Sequence, residues 1–170
     1  MIRILGIDPG SRLTGFGIIE AEAGRLRCLS TGCIRTQNEG LPTRLKAIFE
    51  GVQQLVGDFQ PAEVAIENIF VHRNVDSALK LGQARGAALS AVSVQDIPVY
   101  EYTPSQIKKA IVGKGNASKQ QVQHMVKALL TLAQAPQEDA ADALAAALCH
   151  EHLRRQPLLS MRQGSRRWRR

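Results

Sequence analysis

The sequence contains no apolar run near the roughly 18 residues that a membrane helix needs, which excludes a helical span. Its apolar start, Met1–Ile7, is interrupted by Arg3 and followed by Asp8, so it is not expected to act as a secretory signal. Cysteine is scarce: Cys28, Cys33 and Cys149 form an odd set with no CxxC pair. That excludes a disulfide scaffold and suits a reducing cytoplasm. Internal repeats are absent. Lys114 sits in a glycine-bearing loop, but Gly115 follows it and position 108 is not glycine, so it is no P-loop lysine. The most informative shortage is of acid. From Tyr102 to Gln137 there are five lysines (Lys108, Lys109, Lys114, Lys119, Lys127) and no carboxylate, and none follows Glu151.

What is present fits one folded domain. At 170 residues, with 44% hydrophobic and 22% charged residues, the chain is long enough to bury a sizeable core and too apolar for disorder. The net charge of +7 lies entirely in Arg154, Arg155, Arg162, Arg166, Arg167, Arg169 and Arg170, and the rest of the chain is balanced. Residues 1–155 are therefore expected to form the domain and residues 156–170 a basic, flexible tail. A basic segment abutting Glu138, Asp139 and Asp142, with an arginine tail beyond, suggests a polyanion held near an acidic site. Solvated helix faces and a disordered tail would carry the same charges.

Periodicity gives the elements. Arg3–Asp8, Thr14–Glu22 and Arg25–Thr36 read as strands, the last two joined by a hairpin at Ala23–Gly24. Leu41, Leu45, Ile48, Val52 and Leu55 define an amphipathic helix over 41–57. A short strand at Val64–Glu67, a helix over about 76–93 and a strand at Ile97–Tyr102 follow. Thr103 with Gln106 and Ser118 with Gln121 are capping boxes, the second opening a helix expected to end at Pro136. Glu138–Arg154 is an alanine-rich last helix. The order predicts an α/β fold: a mixed sheet, antiparallel in its first half and parallel in its second, flanked by helices.

Four acids stand out. Asp8 and Glu67 each end an apolar strand, and in parallel neighbours both would emerge at the edge where open α/β sheets bind ligands. Asp139 and Asp142 are i, i+3 on the last helix and share a face. Singly, each has an ordinary explanation as a turn former or first-turn helix acid. Together they repel one another and call for a hard divalent cation such as Mg²⁺.

Ile4–Ser11 followed by Thr14-Gly15, then Ile66-Glu67-Asn68, Gly113–Lys119 and Asp139–Leu144, closely resemble the bacterial Holliday-junction resolvase family RuvC, in register from about residue 3 to 153. The resemblance implies a ribonuclease-H-like, five-stranded mixed sheet flanked by helices. It implies a homodimer that nicks four-way DNA junctions in pairs, leaving 5′ phosphates and 3′ hydroxyls, at a short consensus centred on paired thymines. Partnership with the branch-migration proteins RuvA and RuvB is implied as well. By matching position, Asp8, Glu67, Asp139 and Asp142 would be the catalytic and metal-binding acids. Such acids suit phosphodiester hydrolysis with two Mg²⁺ ions per subunit about 4 Å apart, Mn²⁺ being able to substitute, and Asp8 bridging both. Lys119 would steady charge developing on the phosphate.

Phe70, in the polar loop Asn68–Asn74 beside His72 and Arg73, would otherwise fold back on the core. With the resemblance it becomes a wedge between bases near the cut, and Arg73 a DNA contact. Lys108, Lys114, Lys119 and the tail residues Arg166, Arg167, Arg169 and Arg170 are the expected phosphate contacts. His124 reads as packing or as a phosphate contact. Cys149, His150 and His152 are not expected to share a metal, because i, i+2 residues diverge on a helix. Gly82 and Gly86, on one helix face with Leu79 and Leu89, pack either on the sheet or on a second subunit. Three rivals remain. A ribonuclease H shares the carboxylate chemistry, an actin-like nucleotide-binding protein shares the Asp8-Pro9-Gly10 turn but needs two lobes, and a junction binder without catalysis would not need four acids.

Overall fold

The structure is a computed structural model that describes residues 1–36, 40–68 and 75–155. Strand β1 (Ile2–Asp8) is apolar on both faces, with Ile4, Leu5 and Ile7 fully buried, the signature of a central strand. It pairs antiparallel with β2 (Leu13–Glu22) on one side and parallel with β4 (Glu63–Glu67) on the other. β3 (Arg25–Arg35) and β5 (Val99–Tyr102) complete the order β3-β2-β1-β4-β5. This is the expected mixed sheet, antiparallel through β3-β2-β1 and parallel through β1-β4-β5. Ala23 and Gly24 both have positive φ, 46° and 88°, as a two-residue type I′ hairpin requires.

Helices α1 (Leu41–Phe59) and α2 (Val75–Ser93) cover the face that carries Leu5, Ile7, Ile18, Val64 and Ile66. On the other face Ile4, Ile19 and Ala65 meet α5 (Glu138–Arg154), which is overlaid by α3 (Pro104–Val112) and α4 (Lys119–Leu129). Being covered on both sides, α5 is buried nearly all round, and small side chains are what make that possible. A Cβ on Gly6 would lie 1.9 Å from the Ala143 carbonyl oxygen, and one on Gly17 would lie 2.5 Å from the Leu144 side chain. Glycine on the strands and alanine on the helix let α5 rest directly on the sheet backbone.

The far end of α5 is fastened by a buried polar chain. His150, only 2% exposed, lies 2.6 Å by Nδ1 from the Tyr102 hydroxyl and 2.7 Å by Nε2 from Glu63 Oε2, with Tyr100 stacked on its ring. An ionised Glu63 accepts only, so Nε2 carries the proton and Nδ1 accepts from Tyr102. Burial holds the imidazole below its ordinary pKa. Arg154 joins Glu63 at 3.1 Å and Glu151 at 3.2 Å.

Two boundaries differ from expectation. β5 begins at Val99 rather than Ile97, Pro98 contributing only its carbonyl to Val64 N. α4 ends at Leu129, well short of Pro136. Leu132 N bonds Lys127 O at 3.0 Å and Thr131 N bonds Ala128 O at 3.2 Å, a Schellman closure with Thr131 at φ 51°. Glycine or asparagine normally marks that position, so the sequence carried no stop signal. Phe70, His72, Arg73, the tail arginines Arg166, Arg167, Arg169 and Arg170, and Trp168 lie outside the described residues. Among the described residues no helix is long and apolar enough to cross a membrane.

Candidate active site

Ile7 and Ile66 are the last paired positions of the parallel strands β1 and β4. Asp8 and Glu67 follow them as the last residues of their strands, paired outward with Gly15 and Tyr102, and so stand together at one edge of the sheet, as the strand reading predicts. The first turn of α5 brings Asp139 and Asp142 to the same place. The fit depends on Gly15, which pairs with Asp8 across β1 and β2 and faces the Asp139 carbonyl. A Cβ there would lie 2.0 Å from that oxygen, so a bare Gly15 seats Asp139 beside Asp8.

The electrostatics record the crowding. The Asp8 carboxyl is pushed up to about 8, first by burial and then by Glu67, Asp142 and Asp139. Burial also raises Glu67, with Asp142 adding to it, and raises Asp142 against the pull of Lys119. Cations answer from the α3 and α4 side. Lys119 Nζ, at the cap of α4, donates to Glu138 and lies 3.9 Å from Asp142 Oδ2. The hydrogen bond to Glu138 is the main reason its pKa rises. Lys108, half-buried on α3, acts on both Glu67 and Asp142. A cleft of about 140 Å³ opens between α4 and α5, lined by Lys119, Gln120, Gln123, Glu138 and Asp142.

Four carboxylates from three elements are oxygen donors of the kind that Mg²⁺ takes. Among the described residues no three of them are drawn in tightly enough to hold an ion as they stand. Burial and the three neighbouring acids together disfavour the charged form of Asp8, which a bound cation would favour. The donor chemistry fits a divalent cation.

Other expectations divide. Lys114 is exposed in the loop before α4, open to a ligand. His124 is exposed, which removes its packing role. His150 is occupied by Tyr102 and Glu63 and Cys149 is buried, so the pair forms no metal site with His152. Among the described residues none comes within 4 Å of a Cβ on Gly82 or Gly86, and Val75 and Leu79 beside them are 72% and 61% exposed. Leu79, Gly82 and Gly86 therefore stay off the sheet among the described residues, while Leu89 on the same face packs against the core. Glu138 as the partner of Lys119 went unread, since the pairing depends on how α4 meets α5, which no local pattern encodes.

A five-stranded sheet of this order, with acids gathered where its parallel strands end, is the ribonuclease-H-like architecture of metal-dependent nucleases. Residues 4–150 match the family model "Crossover junction endodeoxyribonuclease RuvC", and the chain belongs to the RuvC family of endodeoxyribonucleases. It is 56% identical over 152 residues to the protein of that name from Shewanella sp. (strain MR-4), covering 89% of this chain and 88% of the relative. The Shewanella oneidensis protein is 55% identical over 152 residues, with the same coverage of both chains. The structure of Thermus thermophilus RuvC in complex with a Holliday junction substrate superposes with a TM-score of 0.86 at 37% identity, covering 91% of this chain and 96% of that one. The yeast mitochondrial Holliday junction resolvase Ydc2, at 12% identity and a TM-score of 0.61, shares the fold.

Proposed function

We propose that the chain resolves four-way DNA junctions by paired nicks, with Mg²⁺ held by Asp8, Glu67, Asp139 and Asp142. The observation that carries this is the convergence of four acids from β1, β4 and α5, with Asp8 raised to about 8 by burial and then by its three acidic neighbours. A divalent metal bound there supplies water activation and neutralises charge on the leaving 3′ oxygen. Asp8, on whose carboxyl Glu67, Asp142 and Asp139 all act, would be the central ligand of that set. Lys119, tethered to Glu138 and close to Asp142, holds a positive charge at the rim for the scissile phosphate. Lys108 and Lys114 lead the backbone toward the acids, and Phe70, Arg73 and the tail arginines Arg166, Arg167, Arg169 and Arg170 extend the contact.

The enzyme works as a homodimer in the cytoplasm, with RuvA and RuvB as partners and a short thymine-centred consensus at the cut. The open apolar face of α2, with Val75, Leu79, Gly82 and Gly86, supports the dimer, because two glycines allow another helix close approach. Two such sites about a dimer axis suit a two-fold junction. Phe70→Ala should bind junctions but cut them slowly, and a junction unpaired at its centre should restore the rate. The deciding experiment is incubation of a synthetic mobile four-way junction with and without Mg²⁺. Symmetric nicks with 5′ phosphates, only with metal, support the reading. Cleavage of an RNA–DNA hybrid instead of the junction would point to ribonuclease H activity.

A further inference from the structure

Two arginines on the β2–β3 side of the site remain without employment. Asp8, Gly15 and Cys33 form one row across three paired strands. Arg35 lies two residues beyond Cys33, opposite Leu13, and so on the same face of β3. That face looks onto the start of α5: Gly15 meets Asp139, and Cys33 Sγ lies 3.7 Å from Gln137 Oε1. Arg35, Asp139 and Asp8 all act electrostatically on the Cys33 thiol, which places the guanidinium and the acids in one neighbourhood. From strand spacing and rise, the Arg35 Cα lies about 12 Å from that of Asp8. An arginine side chain extends that reach to phosphates flanking the one over the acids.

Arg12 occupies the β1–β2 turn at the same edge. The turn is fastened rather than loose. Thr14 Oγ1 donates to Gly10 O at 3.0 Å, Thr36 N to Arg12 O at 3.0 Å, and Thr36 Oγ1 to Ser11 O at 3.0 Å. Arg12 and Arg35 are both exposed. Neither has an acid partner among the described residues, whereas Arg3, Arg27, Arg85, Arg154 and Arg155 all do. Cations kept free beside a cluster of carboxylates suit a polyanion that those carboxylates would otherwise repel. Lys108 stands at the opposite end of the sheet edge, on the helix that follows β5.

We propose that Arg12 and Arg35 form a second phosphate clamp, across the acids from Lys108 and Lys119, that holds the DNA backbone flanking the cut. The clamp rests on the junction-nicking reading, since it needs a DNA strand to pass over the acids. It accounts for both sides of the strand: lysines of α3 and α4 on one, arginines of the β-meander on the other. Phosphate contacts carry no base information, so the clamp fixes register and leaves sequence choice to other residues.

The test is the salt dependence of binding to a four-way junction without divalent metal, for the parent, Arg12→Gln, Arg35→Gln and the double variant. Each arginine lost should weaken binding about threefold to tenfold and lower the slope of log affinity against log salt by about 0.9. Arg12→Lys and Arg35→Lys should keep the slope, and Arg25→Gln, at the far end of β3, should match the parent. A neutral methylphosphonate at the contacted phosphate should weaken the parent but add no further loss to the matching variant. A parental slope in the double variant overturns the clamp. Equal losses in the lysine and glutamine variants overturn it as well, by showing a folding effect. Failure of the parent to nick a junction would overturn the function proposed above while leaving these binding slopes readable.

Discussion

Gly15 and Asp139 touch backbone to backbone: a Cβ on Gly15 would sit 2.0 Å from the Asp139 carbonyl oxygen and 2.4 Å from its carbon. A main-chain carbonyl in mid-contact cannot swing aside as a side-chain tip can. Gly15→Ala must therefore push the first turn of α5 away from β2 and carry Asp139 and Asp142 off Asp8. Overpacking of this kind costs about 1–3 kcal/mol of stability. A displacement of about 1 Å in a reacting constellation costs about 100-fold in rate. The expected result is a folded protein whose single-turnover nicking drops far more than its thermal stability. A variant that nicks at the parental rate would show that α5 is not seated by this contact.

Thr131 holds φ at 51° to close α4. A β-branched residue in that region costs about 1–2 kcal/mol that glycine does not. Thr131→Gly should raise stability by about 1 kcal/mol, or about 2–4 °C in melting temperature, with junction nicking unchanged. A lower melting temperature would mean that the Thr131 side chain contributes more than its backbone strain costs.

Legibility from sequence followed the range of the physics. Asp8 and Glu67 could be read because each closes an apolar run, and parallel pairing of β1 with β4 does the rest. Asp139 and Asp142 followed from helical spacing. The contacts that seat them were not read, although a trace existed. Gly6, Gly15 and Gly17 stand among buried strand residues, and the last helix is rich in alanine, the combination expected where helix and sheet backbones touch. Lys119 with Glu138 joins two helices 19 positions apart and has no local signature. His124 shows the limit of composition: Val122 and Val126 beside it are buried, yet it points outward from the same helix.

The carboxylates should separate cutting from binding. Asp8→Asn, Glu67→Gln, Asp139→Asn and Asp142→Asn each remove a proposed metal ligand, and nicking should fall about 100-fold or more. Each also relieves repulsion of phosphate, so junction affinity should stay level or rise. Gel-shift titration beside cleavage kinetics reads both. Wild-type cleavage by Asp8→Asn would remove Asp8 from the metal site.

The His150 chain can be tested apart from catalysis. His150→Phe keeps an aromatic ring for Tyr100 but leaves the Tyr102 hydroxyl and Glu63 without it. Glu63 keeps Arg154 at 3.1 Å, so the Tyr102 hydroxyl is the group orphaned, at a cost of about 1–3 kcal/mol. A fall of about 2–12 °C in melting temperature is expected at this chain length. No change would mean that water replaces the imidazole at no cost.

Asp8 gives the sharpest dependence on pH. Its carboxyl is raised from 3.8 to about 8 in the folded chain, chiefly by burial and then by Glu67, Asp142 and Asp139. Between those values the folded state keeps a proton that the unfolded state has released. Stability of the metal-free protein therefore falls as pH rises through that window, the reverse of a salt-bridged carboxylate. His150 contributes with the opposite sign, since burial lowers its pKa and stability is lost as pH falls below its unfolded value of 6.5. Comparing the parent with Asp8→Asn cancels the histidine and isolates the acid. The variant should match the parent near pH 4 and exceed it at about pH 8, by about 4–8 °C for a gain of about 2 kcal/mol. Mg²⁺ should stabilise the parent more at high pH than at low, because its ligands must first lose their protons, and should do little for the variant. Calorimetric scans of both proteins from about pH 4 to 9, with and without Mg²⁺, read every arm. Equal stabilisation of parent and variant by Mg²⁺ would place the metal away from Asp8.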